Sequence, residues 1–585
     1  MSTESRLAKI LEETAELINF KYGDFFRVRA YREAANTILH LDGDIKEIVA
    51  EGNLVKLPGI GKKLAGVIID FIETGDFEEH TRLLKEIPAG LLDIMALPGM
   101  GPKKAKMAYE KLGISSIEDL EKGIKEHRLK ELDGFGEKTE NNIIEAIKDR
   151  KRYAERILLP YAEETAREVL VKLKKIPGVK KAEPAGSLRR RSETIGDIDI
   201  LFVSDKDPVD VTSEFIKDLP EEDIIAHGDK KTSFIWEDTC QVDLRHIEED
   251  AWGAALQYFT GSKSHNIVLR KHAIKLGLKL NEYGVFKGKK NISSKTEKEV
   301  YETLGMSYIE PELRENMGEI DAAVEGRLPK LLKMSEIKGD THMHSVYSDG
   351  ENTIEEMALS AQKMGYEWIA VTDHSKSLHI ANGLDESRLE KKIKEIKKLN
   401  KKFSKKTDRT GIKILCGAEV DIKKDGSLDY DDDILKELDI VIAAIHSGFK
   451  EPEEMITQRI IAALNNPYVD ILAHPTGRLL NEREPYAVDI HRIIEEAVLT
   501  HTVIEINAHP SRLDLSYNLA KEAVSKGVKL SIGSDSHSGD GLWLIEYGVS
   551  VARRGWLEKS DLINTMSLKQ LETFIKARRK SGAKK

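Results

Sequence analysis

From about Gly339 onwards the chain alternates strand-like and helical runs, a repeat that leaves few architectures open. The strand-like runs read WIAVTDH, IKILCGAEV, DIVIAAIHS, VDILAHP, TVIEINAHP and VKLSIGSDSH, and amphipathic helical stretches separate them. Repeated βα units predict parallel strands, either in an open sheet or closed into a barrel. In a barrel, the carboxyl ends of the strands converge on one rim, where sites are built.

Histidines and acidic residues stand at the ends of these predicted strands. Ten of the 17 histidines lie between Gly339 and Gly541. Nitrogen and carboxylate ligands on one rim suit Zn²⁺, Mn²⁺ or Fe²⁺, and nine ligands with one shared carboxylate can hold up to three metal ions. The candidate metal ligands are His342, His344, Asp349, His374, Glu419, His446, His474, Asp535 and His537.

Several further residues near these strands are candidates for the ligand set, and the sequence does not decide all of them. His379, His491 and His501 lack the strand-end position, so we assign them to ordinary rim or core roles. Glu505 and His509 also end a strand-like run and stay open as members. Arg478, after HPTG, is a candidate phosphate ligand, although a surface arginine is the stronger expectation.

The first 150 residues have helical apolar spacing and repeat one short glycine-containing phrase three times: LPGIGKKLAGVI, LPGMGPKKAKMAY and LDGFGEKTENNI. Each phrase predicts a helix, a tight turn and a second helix, and it resembles the helix-hairpin-helix motif that binds duplex DNA. The free N–H groups that begin the second helix favour an anion, and nearby lysines add charge, so three copies favour binding of a DNA backbone over a purely structural turn. The candidate DNA-binding residues are Gly59, Gly61, Lys62, Lys63, Gly99, Gly101, Lys103, Lys104, Gly134, Gly136 and Lys138.

Between these regions, GSLRRRSETIGDIDI carries a pair of acids, Asp197 and Asp199, on one face of a predicted strand. A third acid, Asp243, lies in another strand-like run. Three carboxylates on neighbouring strands can hold two Mg²⁺ or Mn²⁺ ions for nucleotidyl transfer. Gly186 and Ser187 can supply N–H and hydroxyl groups to triphosphate oxygens, which Arg190 can also reach.

Composition narrows the class of protein. The net charge of -10 argues against a basic nucleic-acid binder as a whole, but the distribution of charge decides more than the sum. Two distant cysteines, Cys240 and Cys416, form no disulfide framework. The N-terminus has neither a signal-peptide pattern nor a membrane-length apolar run, so we expect a cytoplasmic protein.

The motif GSLRRRSETIGDID resembles the nucleotidyltransferase superfamily, and YFTGSKSHNIVLR is similar to the nucleotide-facing helix of family X DNA polymerases, of the DNA polymerase beta type. This resemblance covers roughly the first 320 residues. It implies that the three aspartates are catalytic metal ligands and that deoxynucleoside triphosphates are substrates. By the same resemblance, the nucleotide-binding residues are Gly186, Ser187, Arg190, Gly196, Tyr258, Phe259, Gly261, Asn266 and Arg270.

One position departs from the family pattern. Members with deoxyribose-phosphate lyase activity use a lysine on the helix after the first hairpin, and that position is Val67 here. Valine cannot form a Schiff base. Lys62 or Lys63 could substitute, but the resemblance does not assign that role to them. We therefore expect no lyase activity from the position that the family uses.

The C-terminal part resembles the polymerase and histidinol phosphatase (PHP) domain from about Gly339 to Met566, through HxH, SDG, TDH, IHS, AHP and SDSH. The resemblance implies that the nine candidate ligands hold metals and that this domain cleaves phosphoesters. The activities it implies are 3′→5′ exonuclease, apurinic (AP) endonuclease and 3′-phosphatase.

Together these features predict a multidomain α+β and α/β protein that resembles bacterial or archaeal family X polymerases with a C-terminal PHP domain. We expect a monomer that fills short gaps during DNA repair on gapped or primer-template DNA. Two alternatives remain: a DNA-end scaffold with one dead site, and a small-substrate nucleotidyltransferase fused to a histidinol-phosphate-type phosphatase. The expected domains are helical DNA-binding regions at 1–80 and 81–150, a palm at 151–247, a helical and mixed thumb at 248–325, a linker at 326–338 and a distorted parallel βα barrel at 339–575.

Overall fold

The structure is a computed structural model, and it forms two compact units, Met1–Ala154 and Glu155–Lys585. Each unit is described by itself. The described residues are 3–39, 45–50, 52–57, 59–88, 90–95, 97, 100–126, 128–132, 135–136, 139–144, 147, 156–237, 239–404 and 411–582. Gly99, Gly134 and Lys138, three of the candidate DNA-binding residues, lie outside them.

The described part of the first unit is helical, as the apolar spacing predicts. Its core is built from one apolar face of each helix, with Leu7, Leu17, Ile68 and Leu83 among the fully buried side chains. The helices are α1 (Thr3–Tyr22), α2 (Phe25–Leu39), α3 (Ile45–Ala50), α4 (Lys62–Thr74), α5 (Glu78–Glu86), α6 (Gly90–Met95), α7 (Pro102–Leu112) and α8 (Ile117–Lys125).

The second unit begins with a five-stranded mixed sheet of order β2-β4-β7-β6-β5, in which only the β4–β7 pair is parallel. The helix α9 (Leu159–Lys174) packs on β2 and β4 through Val169 and Leu173, which are fully buried. A short pair, β1 (Ile157–Leu158) and β3 (Thr194–Ile195), lies beside it. The other elements are β2 (Val179–Pro184), α10 (Gly186–Arg189), β4 (Asp197–Ser204), α11 (Pro208–Ile216), β5 (Ile224–His227), β6 (Lys231–Trp236) and β7 (Cys240–His246).

The next segment combines helices with a small antiparallel sheet of order β10-β9-β8, which is the mixed composition expected of a thumb. Its own core surrounds Leu269, Val300 and Tyr301. The elements are α12 (Trp252–Thr260), α13 (Lys263–Lys275), β8 (Lys279–Asn281), β9 (Gly284–Lys287), β10 (Lys290–Ser293), α14 (Glu297–Thr303) and α15 (Glu319–Val324).

The C-terminal part is a seven-stranded parallel sheet in sequential order, which confirms the predicted parallel βα architecture. A parallel bridge between Met343 and Ser536 brings its first and last strands together, so the sheet is nearly closed into a barrel. The strands are β11 (Gly339–Asp340), β12 (Trp368–Val371), β13 (Lys413–Asp421), β14 (Ile440–Ala444), β15 (Ile471–Leu472), β16 (Val503–Asn507) and β17 (Leu530–Gly533).

Helices cover the outside of this barrel, as expected where both faces of a parallel sheet are buried. The expected linker at 326–338 lies along the barrel, where the N–H of Leu332 donates to the carbonyl of Leu557. Among the described helices, none combines the length and apolar character that crossing a membrane requires. The covering helices are α16 (Ile354–Lys363), α17 (Glu386–Phe403), α18 (Asp432–Leu435), α19 (Glu453–Leu464), α20 (Ile490–Thr500), α21 (Tyr517–Ser525), α22 (Ile545–Arg554) and α23 (Leu568–Gly582).

Candidate active sites

The three predicted aspartates of the mixed sheet lie together on one face of two neighbouring strands. In the parallel β4–β7 ladder, Asp199 stands directly opposite Asp243, and Asp197 stands opposite Gln241. Residues two apart on a strand, and their direct partners on the next strand, point to the same face. Asp197 is exposed, whereas Asp243 is buried with 1% of its surface accessible, so the row of carboxylates extends from solvent into the sheet.

Two cations on the neighbouring strands contact these carboxylates. Arg245 donates to Asp199 Oδ1 at 3.2 Å and to Asp243 Oδ2 at 3.1 Å, and Lys231 Nζ lies 2.5 Å from Asp243 Oδ2. Burial opposes the charged form of Asp243, but hydrogen bonds from Lys231, Gln241 and Ser233 lower its pKa overall. Burial raises the pKa of Asp199 to about 6; the nearby carboxylates of Asp197 and Asp243 add to this effect, and Arg245 opposes it.

This carboxylate set fits divalent cations. It offers oxygen ligands of the kind that Mg²⁺ and Mn²⁺ prefer, on one face and with one member open to solvent. Sequence reasoning missed Lys231 and Arg245. The position of Arg245, two residues after Asp243 on the same strand and therefore on the same face, was the available signal.

A glycine brings the turn that the sequence predicts to bind nucleotide against these acids. Gly186 has φ +59°, and a Cβ built there would lie 2.7 Å from Asp199 Oδ2, so only glycine fits at this close approach. The turn opens on a cavity of about 520 Å³. Predicted residues on its wall are Gly186, Ser187, Arg190, Asp197, Asp199, Phe259 and Gly261, and further lining residues include Arg156, Glu193, Lys263, Glu315, Tyr517 and Arg554.

The other predicted nucleotide contacts, Gly196, Tyr258, Asn266 and Arg270, adjoin this cavity or lie further along α13 but do not line it. The side-chain amide of Asn266 donates to the carbonyl of Tyr258 at 2.7 Å and accepts from Gln257 at 3.0 Å, so it braces the turn between α12 and α13. Arg270 is exposed one helical turn further on. Gly196 directly precedes the aspartate pair, and the Tyr258 and Phe259 rings meet edge to face at 5.2 Å.

The three consecutive arginines after the turn contact three different partners in two parts of the second unit. Arg189 pairs with Glu297 at 2.7 Å and Arg190 with Glu315 at 2.9 Å, both in the segment that follows the sheet. Arg191, at φ +56°, donates to Ser550 Oγ of the barrel helix α22 at 2.9 Å. The expectation that Arg190 reaches a bound phosphate therefore concerns a side chain that already has a carboxylate partner.

All nine predicted ligands of the barrel converge on one rim. Glu419 lies at the centre, 1% exposed, with Oε2 3.0 Å from His374 Nδ1 and 3.3 Å from His342 Nε2. Its Oε1 lies 2.9 Å from His474 Nε2 and 3.2 Å from His446 Nε2. Three groups of side chains could each hold a metal: His344, Asp349, His374 and His537; His342, His344 and Asp535; His374, Glu419 and His446.

Several nitrogen and oxygen atoms of this cluster make no hydrogen bonds with one another and are suited to bind metal ions instead. Buried atoms without a hydrogen-bond partner in the described part of the chain include His342 Nε2, His344 Nδ1, His374 Nδ1 and Glu419 Oε2. Such groups are rare in proteins because desolvation without a partner is costly. Their convergence on the rim is explained if cations take the place of hydrogen-bond donors.

Other side chains orient the ligands. Glu505 Oε1 lies 2.7 Å from His342 Nδ1, and Asp421 Oδ1 lies 2.8 Å from His446 Nδ1. Such partners fix the orientation and tautomer of a ligating imidazole. Glu505, whose membership was open, therefore acts through His342. Asp421, which sequence reasoning missed, stands two residues after Glu419 on the same face of β13.

Two ligand positions have strained backbones and one neighbouring glycine is required by packing. His474 has φ +27° and Asp535 has φ +53°, a region that non-glycine residues seldom adopt, so the surrounding structure must hold these two positions in place. A Cβ at Gly533 would lie 2.2 Å from Glu505 Oε1, so glycine makes room for the pair of Glu505 and His342.

Carboxylates and imidazoles of the rim shift one another's charge. Burial opposes ionisation of Glu419, yet His374, His446 and His342 hold its pKa well below the usual range. Burial likewise disfavours a charged His446, but Glu419 and Asp421 raise its pKa to about 10. Burial and the neighbouring imidazoles lower the pKa of His344 to about 4, which leaves it neutral and able to ligate.

The residues left outside the ligand set have other partners. His491 pairs with Glu522 at 2.9 Å, His509 with Ser511 Oγ at 2.8 Å, and His501 ends α20. Arg478 is neither a free phosphate ligand nor a surface arginine. It is largely buried and pairs at 2.8 Å with Glu193, which lines the cavity beside Gly186, because the loop after His474 packs against the mixed sheet.

The glycine hairpins of the first unit share one geometry. In each, the N–H of the residue between the two glycines donates to the carbonyl of the preceding leucine, at 2.9 to 3.2 Å, and its side chain is buried: Ile60, Met100 and Phe135. The second glycine of each hairpin is exposed and has open space before it: Gly61, Gly101 and Gly136. This arrangement leaves room for a phosphate at the start of α4 and α7.

The lysines of the hairpins differ in their surroundings. Lys62, Lys63 and Lys103 are exposed at the start of their helices. Lys104 Nζ instead lies over the Phe135 ring at 5.3 Å. Val67, at the position of the lyase lysine, packs against the core of this unit.

Comparisons with known proteins cover nearly the whole chain. Family models match as a helix-hairpin-helix domain at 2–77, a SAM-like helix-hairpin-helix tandem at 91–149, a DNA polymerase beta thumb at 255–315 and a PHP domain at 340–509. The chain is 39% identical over 575 residues to the DNA polymerase/3'-5' exonuclease PolX of Bacillus subtilis, covering 97% of this chain and 99% of that protein.

A second group of relatives matches the C-terminal part alone. A probable phosphatase of Thermoanaerobacter sp. is 33% identical over 254 residues, which is 42% of this chain and 96% of that protein. A probable phosphatase of Acetivibrio thermocellus is 32% identical over 207 residues, which is 34% of this chain and 78% of that protein. The near full-length match to a polymerase, with the hairpin, thumb and PHP matches in order, shows that the chain belongs to the family X DNA polymerases that carry a C-terminal PHP domain.

Proposed function

We propose that this enzyme fills short gaps in DNA during repair and removes nucleotides from the 3′ end at its PHP site. The observation that supports the polymerase reaction best is the pairing of Asp199 with Asp243 across parallel strands. Asp199 lines a cavity whose wall also carries Gly186 and the cationic side chains of Arg190 and Lys263. A second, separate carboxylate and histidine cluster on the barrel rim supports the hydrolytic reaction.

In the polymerase reaction, Asp197, Asp199 and Asp243 would hold Mg²⁺ or Mn²⁺, which when bound supply Lewis-acid charge to the reacting phosphate. Gly186 and Ser187 offer the triphosphate backbone N–H and hydroxyl donors. Arg190 and Lys263, both on the cavity wall, offer positive charge to its oxygens. Tyr258, Phe259, Gly261, Asn266 and Arg270 are proposed to shape the site for the sugar and the base pair.

In the hydrolytic reaction, the nine rim ligands would hold up to three Zn²⁺, Mn²⁺ or Fe²⁺ ions, which when bound would stabilise the negative charge on the reacting phosphate. Glu505 and Asp421 keep the imidazoles of His342 and His446 turned towards these ions. The carboxylates of the rim give it the negative charge that would hold these cations. The bound cations would in turn neutralise the charge of a phosphodiester. Phosphomonoester removal from a 3′ end is the second candidate, favoured by the probable phosphatases that match this part alone.

A panel of 5′-labelled duplexes tests this assignment. The first duplex has a 3′-hydroxyl end, the second has a 3′-phosphate end, and the third contains an internal abasic site. All three are incubated with Mn²⁺ or Zn²⁺ in the absence of nucleotides. We expect a ladder of shortened products from the 3′-hydroxyl end. Conversion of only the 3′-phosphate end, without shortening of any end, would instead assign the PHP site to the phosphatase reaction.

The exposed lysines of the first hairpin provide a test of DNA binding. We expect Lys62→Ala with Lys63→Ala to weaken duplex binding equally for all sequences and to reduce the slope of log K against log salt by about 2, because each lysine neutralises one phosphate. The measurement is fluorescence anisotropy over a range of salt concentrations. Lys111→Ala, which removes an exposed lysine at the far end of α7, is the control, and an equal weakening there would refute a specific role of the hairpin.

The same proposal covers assembly, location and domains. Gapped or primer-template DNA and deoxynucleoside triphosphates are the proposed partners, and these substrates imply a cytoplasmic reaction. One chain carries both proposed sites, so we propose that a monomer is sufficient. The boundaries 1–80, 81–150, 151–247, 248–325, 326–338 and 339–575 are retained as proposed domains.

A further inference from the structure

A helix of the PHP barrel reaches the nucleotide cavity of the polymerase part. Arg554, the last residue of α22, is 4% exposed and lines this cavity. Its Nη1 donates to the carbonyl of Arg190 at 3.0 Å and to Ser192 Oγ at 2.8 Å. The ring of Tyr517, another barrel residue on the cavity wall, lies 4.3 Å from its guanidinium.

The second half of this guanidinium shares a carboxylate with Arg190. Arg554 Nη2 lies 3.1 Å from Glu315 Oε1, and Arg190 Nε donates to the same oxygen at 2.9 Å. The side chains of Glu315 and Arg190 are each 13% exposed, and that of Arg554 is 5% exposed. One carboxylate oxygen thus bridges two guanidinium groups in a partly desolvated place, where each interaction is stronger than at the surface.

This bridge affects how easily Arg190 can turn to another anion. If Glu315 had Arg190 as its sole cation, release of Arg190 to a triphosphate would leave a buried carboxylate without a partner, which is unfavourable. With Arg554 in place, Glu315 keeps a cation when Arg190 moves. Arg554 also fixes the backbone of the loop that carries Arg190.

We propose that Arg554 of the PHP domain is a positioning residue for the polymerase reaction: it neutralises Glu315 and so releases Arg190 for the nucleotide triphosphate. This inference rests on the proposed role of Arg190. By this inference, the PHP domain contributes to the nucleotide site of the polymerase in addition to carrying the hydrolytic site. Because Arg554 contacts none of the rim ligands, its effect should be confined to polymerisation.

The test is steady-state primer extension by the full-length chain with Arg554→Met. We expect the KM for deoxynucleotides to rise about tenfold, which corresponds to about 1.4 kcal/mol, with kcat and 3′-end shortening within about twofold. Arg553→Met is the matched control, because Arg553 makes a similar ion pair with Glu312 at 2.7 Å but does not touch Glu315. An unchanged KM in Arg554→Met, or an equal rise in Arg553→Met, would overturn the proposal.

A second variant separates charge release from simple support of the loop. Adding Glu315→Gln to Arg554→Met removes the carboxylate that would otherwise retain Arg190, so we expect the KM to return to within about threefold of the unchanged chain. No recovery would mean that Arg554 only supports the loop, and the proposal would fail. If Arg554→Met loses both activities, Arg554→Gln, which keeps a donor but no charge, carries the same test.

The premise is tested separately with Arg190→Met. A large rise in KM there, without one in Arg554→Met, would reject the inference and leave the proposed nucleotide site intact. An unchanged KM in Arg190→Met would remove the role of Arg190 itself and the inference with it.

Discussion

Asp199→Ala is expected to abolish primer extension and to leave 3′-end shortening within about twofold of the unchanged chain. Asp199 stands between the other two acids, opposite Asp243 and two residues from Asp197. Its loss removes a shared ligand of the proposed metal ions, and a deficit of about 4 kcal/mol in transition-state stabilisation corresponds to about 1,000-fold in rate. Single-nucleotide incorporation on gapped DNA, followed on a sequencing gel, measures it.

The same chain offers a matched control for this substitution. Asp205 directly follows the end of β4, is exposed and pairs with Lys180 at the surface at 2.6 Å, so Asp205→Ala should change neither activity. Concurrent loss of extension and shortening in Asp199→Ala would contradict two separate sites. Retained extension in Asp199→Ala would show that the catalytic acids lie elsewhere in the chain.

His344→Ala is expected to have the converse effect, with 3′-end shortening lost by about 1,000-fold or more and extension preserved. His344 belongs to two of the three groups that could hold a metal and is fully buried between Asp535 and Asp349. Removal of one shared ligand therefore weakens two positions at once. The measurements are shortening of a 5′-labelled strand and the metal content of the purified protein.

A histidine outside the rim controls for this change. His491 is exposed on α20 and pairs only with Glu522 within the described part of the chain, so His491→Ala should keep full metal content and both activities. Preserved extension in His344→Ala shows that the fold has survived. Unchanged shortening together with unchanged metal content would exclude the rim as the hydrolytic centre.

Most of the fold could be predicted from the periodic spacing of apolar residues in the sequence. The six strand-like runs after Gly339 became parallel strands in sequential order because each apolar run had to be buried between helices. Residues at their ends then had to meet at the rim, which is why the convergence of Glu419 with four histidines could be expected from spacing. The strand pair carrying Asp199 and Asp243 followed from the same period-two argument.

Interactions between distant segments left no local signal. Three consecutive arginines look alike in sequence, yet Arg189 and Arg190 contact the segment after the sheet and Arg191 contacts the barrel. Arg478 appeared to be a phosphate or surface residue because its partner, Glu193, lies almost 300 positions away in the chain. Such pairs depend on how the barrel packs on the mixed sheet, which no period in the sequence encodes.

We propose that one chain carries a polymerase site and a separate hydrolytic site and that both act on a DNA 3′ end. The measurement is a 5′-labelled primer annealed across a short gap with Mn²⁺, incubated with and without deoxynucleotides. We expect extension when nucleotides are present and shortening from the 3′ end when they are absent. Bound DNA with neither reaction would contradict it and would favour a DNA-end scaffold instead.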